Sequence, residues 1–525
     1  MKIGFASVFA WRPHAEHLHF LADLAKVAGH SISFLSCDGA FRSCYNIEAG
    51  KSSRKASECA KCTLGGVRSY ASSGVTSART LRGGPKVDSQ LAHEWASSSA
   101  STLGRHESDQ DFLSTEMIET TSRLAVGVDR AFGAAVQWIE RESLGCVVVF
   151  NGRMDITRAI VEAAKYCRVP YFSYERTWFG DGIQILPNEN CLGLKAVTEL
   201  VRVWAQRPLL KDQAFESAAL VASRFLRTNS NEWRAYNKHA VGRQWPTSGD
   251  RKVLFVPGSR NEVWSHPDWS SGWKQRTDGF DFVIEELGLG NNEMVLRCHP
   301  NWATSIHGKG GEKAEIYYGD WAKSRGVHLI PSNDPTSTLS LIEQSDAVVV
   351  SGGSAAFEAG LLGRQVIALG PSVYQGAGFE SSFYGPLATG TPRNLQLETG
   401  KDLEASRQRS ALRFGYSMNH RASQFVPFVR CVSPVEYEYR PGADPAQLDR
   451  LVRTEKLEAD DNTSAANDGH EREVLDLVNA REWDQIVGWT EASKNAEKAP
   501  TTRIERRPLV RPLDSVRHRL PKGDI

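Results

Sequence analysis

The stretch DAVVVSGGSAAFEAGLLGRQVIALG, residues 346–370, reads as an apolar strand, a turn of small residues, a helix and a second apolar strand. Ser351-Gly352-Gly353-Ser354 stands where a parallel strand hands over to a helix N-terminus. Backbone N–H groups and the positive end of the helix dipole favour an anion such as a phosphate at such a point. Glu358 follows about one helical turn later, placed to accept hydrogen bonds from sugar or ribose hydroxyls. Small residues at this junction also serve tight packing alone, so the turn takes its meaning from the rest of the chain.

Working outward, strands VLFVP (253–257), MVLRCHP (294–300), VHLIP (327–331), AVVVS (347–351) and QVIALG (365–370) alternate with helical patterns. That alternation predicts a parallel, doubly wound sheet. KIGFASV (2–8), SISFLS (31–36), the strands at 146–150 and 170–174 and the helical stretches between them predict a second. The fold class expected is α/β, two Rossmann-like domains facing a cleft. Residues 1–245 form the first, with a Cys-bearing insertion at about 37–108, and residues 246–435 the second, closed by a helix near 402–426. Residues 436–525 are rich in Asp, Asn, Ala, Lys, Arg and Pro and read as a mostly disordered tail with one helix at 471–493.

Composition narrows the function classes. The 525 residues leave room for two or three domains, and 41% hydrophobic with 24% charged residues is an ordinary globular balance. A formal net charge of +1 gives no global attraction to nucleic acid or to an anionic membrane. The first strand begins at residue 2 with no secretory pattern before it, and no apolar run reaches bilayer length, so a cytoplasmic location is expected.

Doubly wound sheets bind ligands at the carboxyl ends of their strands, and the polar motifs fall there. Arg297, His299 and Asn301 follow one strand of the second half and supply donors for a phosphate. Ser259 lies in the turn after residues 253–257, and Asp334 to Ser337 opens a helix, where Asp334 or Ser337 equally reads as a helix cap. In the first half Asn151-Gly152-Arg153 follows a strand, with Asp155 close behind, and Glu175-Arg176 follows the next. Glu175 and Asp155 are candidate general bases, with a surface ion-pair network as the alternative. His14, after the first strand, is a candidate acceptor-site residue.

Together these blocks resemble bacterial surface and capsular polysaccharide biosynthesis proteins of the GT-B glycosyltransferase type. The shared pattern is Asn151-Gly152-Arg153, Glu175-Arg176, Arg297 to Asn301, Asp334 to Ser337, and Gly353 to Ile367 with Tyr374, across roughly residues 1–425. Thr177 stands where the family has a glycine, and Ser351-Gly352 replaces its more usual turn. The resemblance implies a glycosyltransferase that moves a sugar from a nucleotide-activated donor to a glycan acceptor without a catalytic metal. Ser259, Arg297, Asn301, Ser337, Gly353, Ser354, Glu358 and Tyr374 would line the donor site, with His299 stabilising the departing nucleotide. His14, Asn151, Arg153 and Arg176 would face the acceptor, and Glu175 or Asp155 would act as base. Peripheral association with membrane polysaccharide machinery, at the inner face, is a further expectation; no nucleic acid is expected. A sugar-nucleotide epimerase or glycerophosphate transferase of the same fold is the alternative enzyme. A non-catalytic sugar-nucleotide- or glycan-binding assembly partner is the alternative outside enzymes.

Four of the nine cysteines cluster as Cys37-x6-Cys44-x14-Cys59-x2-Cys62. The last pair has the spacing of a metal knuckle, and four thiolates suit a structural zinc, with an iron–sulfur cluster as the lesser choice and free thiols as the plain alternative.

Overall fold

The computed structural model describes residues 1–50, 55–71, 73–229, 239–305, 310–386, 395–457, 463–464, 469–496, 500–501 and 503–512. Its first sheet takes β1 (Lys2–Ser7), β2 (Ser31–Ser36), β3 (Val75–Ser77), β4 (Cys146–Phe150), β5 (Tyr171–Glu175) and β6 (Ile183–Pro187). The second takes β7 (Val253–Val256), β8 (Met294–Arg297), β9 (His328–Ile330), β10 (Ala347–Val350), β11 (Gln365–Ala368) and β12 (Glu380–Ser382). The chain then returns to the first half, where β13 (Ser423–Gln424) pairs antiparallel with β6. A hairpin of β14 (Val429–Ser433) and β15 (Glu436–Tyr439) follows.

Spatial order is β13-β6-β5-β4-β1-β2-β3 in the first sheet and β12-β11-β10-β7-β8-β9 in the second. All neighbours in the second sheet are parallel, as are β3, β2, β1, β4 and β5 in the first. Each sheet therefore reverses its winding between its first and fourth strands, β1 beside β4 and β7 beside β10. The fold is α/β with two Rossmann-like sheets, as the strand–helix alternation leads one to expect. Strands such as β4 and β10 are apolar at every position because both faces of a parallel sheet are covered by helices, and every residue of each is buried.

Three parts of the chain depart from the sequence reading. The Ser-rich second half of the expected insertion contributes β3 and a helix, Ser89–Gly104, whose Ala92, Ala96 and Ala100 are buried at four-residue spacing. Small side chains here are packing surface, which composition disguises as loop. Helices Lys195–Ala205 and Lys211–Phe225 precede the expected boundary yet bury Val197, Trp204, Phe215 and Val221 in a core shared with β7 and β10. The expected tail is in good part folded. Helix Pro445–Thr454 packs on helix His14–Val27, and helices Gly469–Ala480 and Trp483–Ala496 pack on Lys211–Phe225. Leu448, Leu451, Val474, Val478 and Ile486 supply the buried faces, at helical spacings that polar neighbours mask. The expected disorder of residues 513–525 lies outside the described residues.

The halves meet along the segment after helix Ser89–Gly104. Arg105 donates to the carbonyls of Asn301 (3.0 Å) and Thr304 (2.6 Å). Glu107 is fully buried; its carboxylate accepts the Arg260 N–H at 2.8 and 3.1 Å and the Tyr318 hydroxyl at 2.9 Å. The Arg260 guanidinium pairs with Asp109 at 2.6 Å and lies 4.8 Å from the ring centroids of both Phe112 and Trp264, which stack 3.7 Å apart. Lys313 ties Glu116 at 2.9 Å.

Burial pushes the Glu107 carboxyl up to about 7, against the pull of Arg276 and the Arg260 N–H. A carboxyl whose folded pKa is raised contributes stability that is complete below its unfolded value and is lost as pH rises through the folded one. Between about pH 4.5 and 7 this single group should therefore lower stability as pH rises, by up to about 3 kcal/mol. Glu107→Gln should flatten the decline in melting temperature across that window. Parallel melting curves for variant and parent would refute the assignment.

Candidate active site

In the second half the reversal point lies between β7 and β10, and Gly258 at the end of one strand donates to the Ser351 hydroxyl at the end of the other at 3.1 Å. Above these ends, and beside Leu369 and Gly370 after β11, is a cavity of about 300 Å³. Its remaining wall is the long loop after β7, which brings Trp264, His266, Trp269, Trp273, Lys274 and Arg276 to the rim. Trp273 is fixed by donating to the carbonyls of Leu369 (3.0 Å) and Phe383 (3.1 Å). Trp269 donates to the Leu192 carbonyl (2.7 Å), and Asp268 accepts the Leu194 N–H (3.0 Å), so the loop rests on the first half. Among the described residues neither Lys274 nor Arg276 has a carboxylate at salt-bridge distance. Lys274 and Arg276 thus line a cavity with indole walls, Arg276 also donating to the Gly258 carbonyl at 3.4 Å.

The turn after β10 is formed by Gly352 and Gly353 at φ +127° and +94°, a backbone that residues with a Cβ rarely adopt. A Cβ on Gly353 would meet nothing within 4 Å, so space remains beside this turn. Ser354 begins helix Ala355–Leu361 and donates to Glu358 at 3.2 Å; Arg224 donates to Ser354 at 3.0 Å and forms an ion pair with Glu358. Glu358 is buried, and the carboxylate that the sequence reading aims at a ribose is already held by Arg224. Tyr374 is fully buried after β11.

The other expected donor residues act mainly within the protein. Ser259 accepts the Trp302 indole N–H at 2.9 Å. Arg297 is buried and donates to the carbonyls of Pro331 and Asp334, which clamps the turn after β9. His299 is exposed and accepts the Asn301 N–H on Nδ1 at 3.0 Å. Asn301 accepts from Arg105 across the joint and from the Thr304 hydroxyl at 2.8 Å. Ser337 caps helix Thr338–Gln344, the plainer of the two roles expected for it.

The first half gathers a second group at the ends of β4 and β5. Glu175 accepts the Asn151 amide at 2.9 Å and its neighbour Arg176's N–H at 3.0 Å, and its Oε1 lies 3.4 Å from His14 Nε2. Asn151, at φ +61°, also caps the Arg153 N–H at 3.1 Å. Arg153 reaches Ser98 (2.9 Å) and Thr102 (3.0 Å) on the helix that leads to Glu107. Burial, then the charge of Arg176, lowers the His14 pKa, so at neutral pH the ring is uncharged. Glu175 remains partly exposed, its side chain at 22%. Asp155, the other candidate base, stands apart: it is fully buried, accepts the Tyr45 N–H (3.1 Å) and the Ser99 hydroxyl (3.0 Å), and is pushed up to about 7 by that burial.

Cys37, Cys44, Cys59 and Cys62 all line one small cavity at the carboxyl ends of β1 and β2. Arg224, Glu107 and the loop carrying Lys274 and Arg276 were outside the sequence reading. The loop had a readable signal, W-x4-W-x3-W directly after a core strand; Arg224 and Glu107 had none, because their partners lie 134 and 153 residues away. Among the described residues no helix is long and apolar enough to cross a membrane.

No family model matches the chain, and no curated protein sequence does. Solved structures similar to it include KpsC, a β-Kdo 2,4 transferase of Thermosulfurimonas dismutans, at 15% identity, covering 59% of this chain and 88% of that one with a TM-score of 0.32. A putative UDP-N-acetylglucosamine 2-epimerase of Listeria monocytogenes matches at 12% identity, covering 88% and 99% with a TM-score of 0.26. The Methanocaldococcus jannaschii UDP-GlcNAc 2-epimerase, in complex with UDP-GlcNAc and UDP, matches at 10% identity, covering 86% and 99% with a TM-score of 0.29. Likeness at this level leaves the chemistry to be read from the chain's own residues.

Proposed function

We propose that this chain is a glycosyltransferase that moves a sugar from a nucleotide-activated donor to a glycan acceptor in surface polysaccharide biosynthesis. The observation that carries the reading is the cavity at the β7–β10 reversal, where Lys274 and Arg276 face indole walls. A base or sugar ring stacks on such walls, and a phosphate takes the cations and the glycine turn after β10. As the glycosidic bond breaks, negative charge grows on the departing phosphate, and cations there stabilise the transition state without a metal. The reading therefore assigns no catalytic metal to the site.

Glu175 is the general base of this proposal. The Arg176 N–H donates to one carboxylate oxygen and the Asn151 amide to the other, with the neutral His14 ring 3.4 Å away, which fixes the carboxylate while leaving it partly exposed to an acceptor hydroxyl. Asp155, sealed under Tyr45 and Ser99, is assigned a structural role. Arg153 and Arg176 supply positive charge on the acceptor side.

Removing the cations should weaken donor binding while the fold persists. Lys274→Ala and Arg276→Ala are each expected to weaken the best ligand of a CMP-, UDP-, GDP- and CDP-sugar panel about 10- to 100-fold in calorimetry. Unchanged binding in both variants would place the donor elsewhere.

Glu175→Gln should keep donor affinity and lower acceptor-dependent nucleotide release roughly 100-fold or more. Release measured with and without glycan extract also separates the alternatives. Turnover of the sugar nucleotide without acceptor would favour an epimerase, and binding without turnover would favour an assembly partner.

A further inference from the structure

The Cys-bearing insertion contains an anomaly of packing. Helix Lys55–Gly65 has no buried residue, so it lacks the apolar stripe that ordinarily fixes a helix to a domain. Its Cys59 and Cys62, three residues apart and so on one face, point at the same small cavity as Cys37 after β2 and Cys44 at the cap of helix Tyr45–Ala49. Its far end is tied by polar contacts, Arg506 donating to the Leu64 carbonyl at 2.8 Å and the Ser69 hydroxyl donating to the same oxygen.

One sulfur already has the surroundings of a ligand: Cys62 accepts the Asn46 amide N–H at 3.1 Å. A buried neutral thiol has little need of such a donor, whereas a metal-bound thiolate is oriented by one. The Ala40 N–H donates to the Cys37 carbonyl at 3.0 Å and closes the turn that sets Cys37 at the cavity. All four cysteines are free. The space they line is about 20 Å³, room for a single ion.

We propose that Cys37, Cys44, Cys59 and Cys62 bind one zinc ion that pins helix Lys55–Gly65 over the carboxyl edge of the first sheet. Among the described residues no three His, Cys, Asp or Glu side chains already stand in ligand geometry, so binding turns the sulfurs into the cavity they line. Four thiols lose four protons to solvent as four Zn–S bonds form, with no oxidant or reductant required. With no position left open, the site is structural.

The full chain, purified without chelator, should carry about one zinc per molecule. Cobalt(II) added to the metal-free chain should give the thiolate-to-metal charge-transfer and tetrahedral d–d bands of a four-sulfur site. Cys59→Ser with Cys62→Ser should reduce the metal to near none and expose residues 37–65 to protease. Should that variant fail to fold, alkylation of the parent decides: peptides bearing these four cysteines should react only after a chelator. Protein that takes up neither zinc nor cobalt would overturn the proposal, as would iron with labile sulfide, or metal retained by the double variant.

Discussion

A single buried carboxylate governs how the two halves of this molecule face each other. Glu107 belongs to the first half by sequence, yet its partners, the Arg260 N–H and the Tyr318 hydroxyl, belong to the second. Removing a hydrogen-bonded carboxylate from so buried a place leaves its donors unpaired, a larger penalty than the bond's net worth. Arg260 begins the loop that carries Trp264, Trp269, Trp273, Lys274 and Arg276, so the shape of the cavity rim starts at this contact. The Arg260 guanidinium lies beside the stacked Phe112 and Trp264 rings, and the carboxylate is fully buried, which strengthens its polar contacts.

What could be read from the sequence follows the range of the forces involved. Strands buried on both faces are written as uninterrupted valine runs, and AVVV and CVVVF are legible without any neighbour. Helix Ser89–Gly104 is not, since its buried face is built of alanine and serine, residues equally at home in a loop. The return of the chain to the first sheet through β13 rests on a two-residue pairing with β6 that no periodicity announces.

The site divides the same way. Turn chemistry is local, so the glycines after β10 and the Asn151 and Glu175 strand ends were visible. Ion pairs are not local. Glu358 is legible as a carboxylate near a glycine turn, but its capture by Arg224 depends on a helix from the other half of the sequence. Glu107 is the clearest case: it stands just before Ser108, which caps a short helix through a reciprocal pair with Asp111. That local motif fully accounts for the polar run in which Glu107 is embedded, and the long-range role stays hidden behind it.

The two sheets share one winding, and therefore offer two equivalent crevices, one at β1–β4 and one at β7–β10. They are filled differently. Over the first, Phe9 stacks on Trp11 at 4.7 Å, Trp11 meets Tyr45 and Phe150 edge-on, and the cysteine cavity leaves only about 20 Å³. Over the second, the loop stands off the strand ends and leaves about 300 Å³ lined by cations. The proposed nucleotide site needs a crevice of the second kind, and the insertion plugs the first. The first half is then left with the flank of its sheet, where Glu175, His14 and Asn151 stand at the ends of β4 and β5. On this argument the insertion and the place of the proposed catalytic carboxylate are two consequences of one constraint: a fold with two like openings must close one of them to give its halves different tasks.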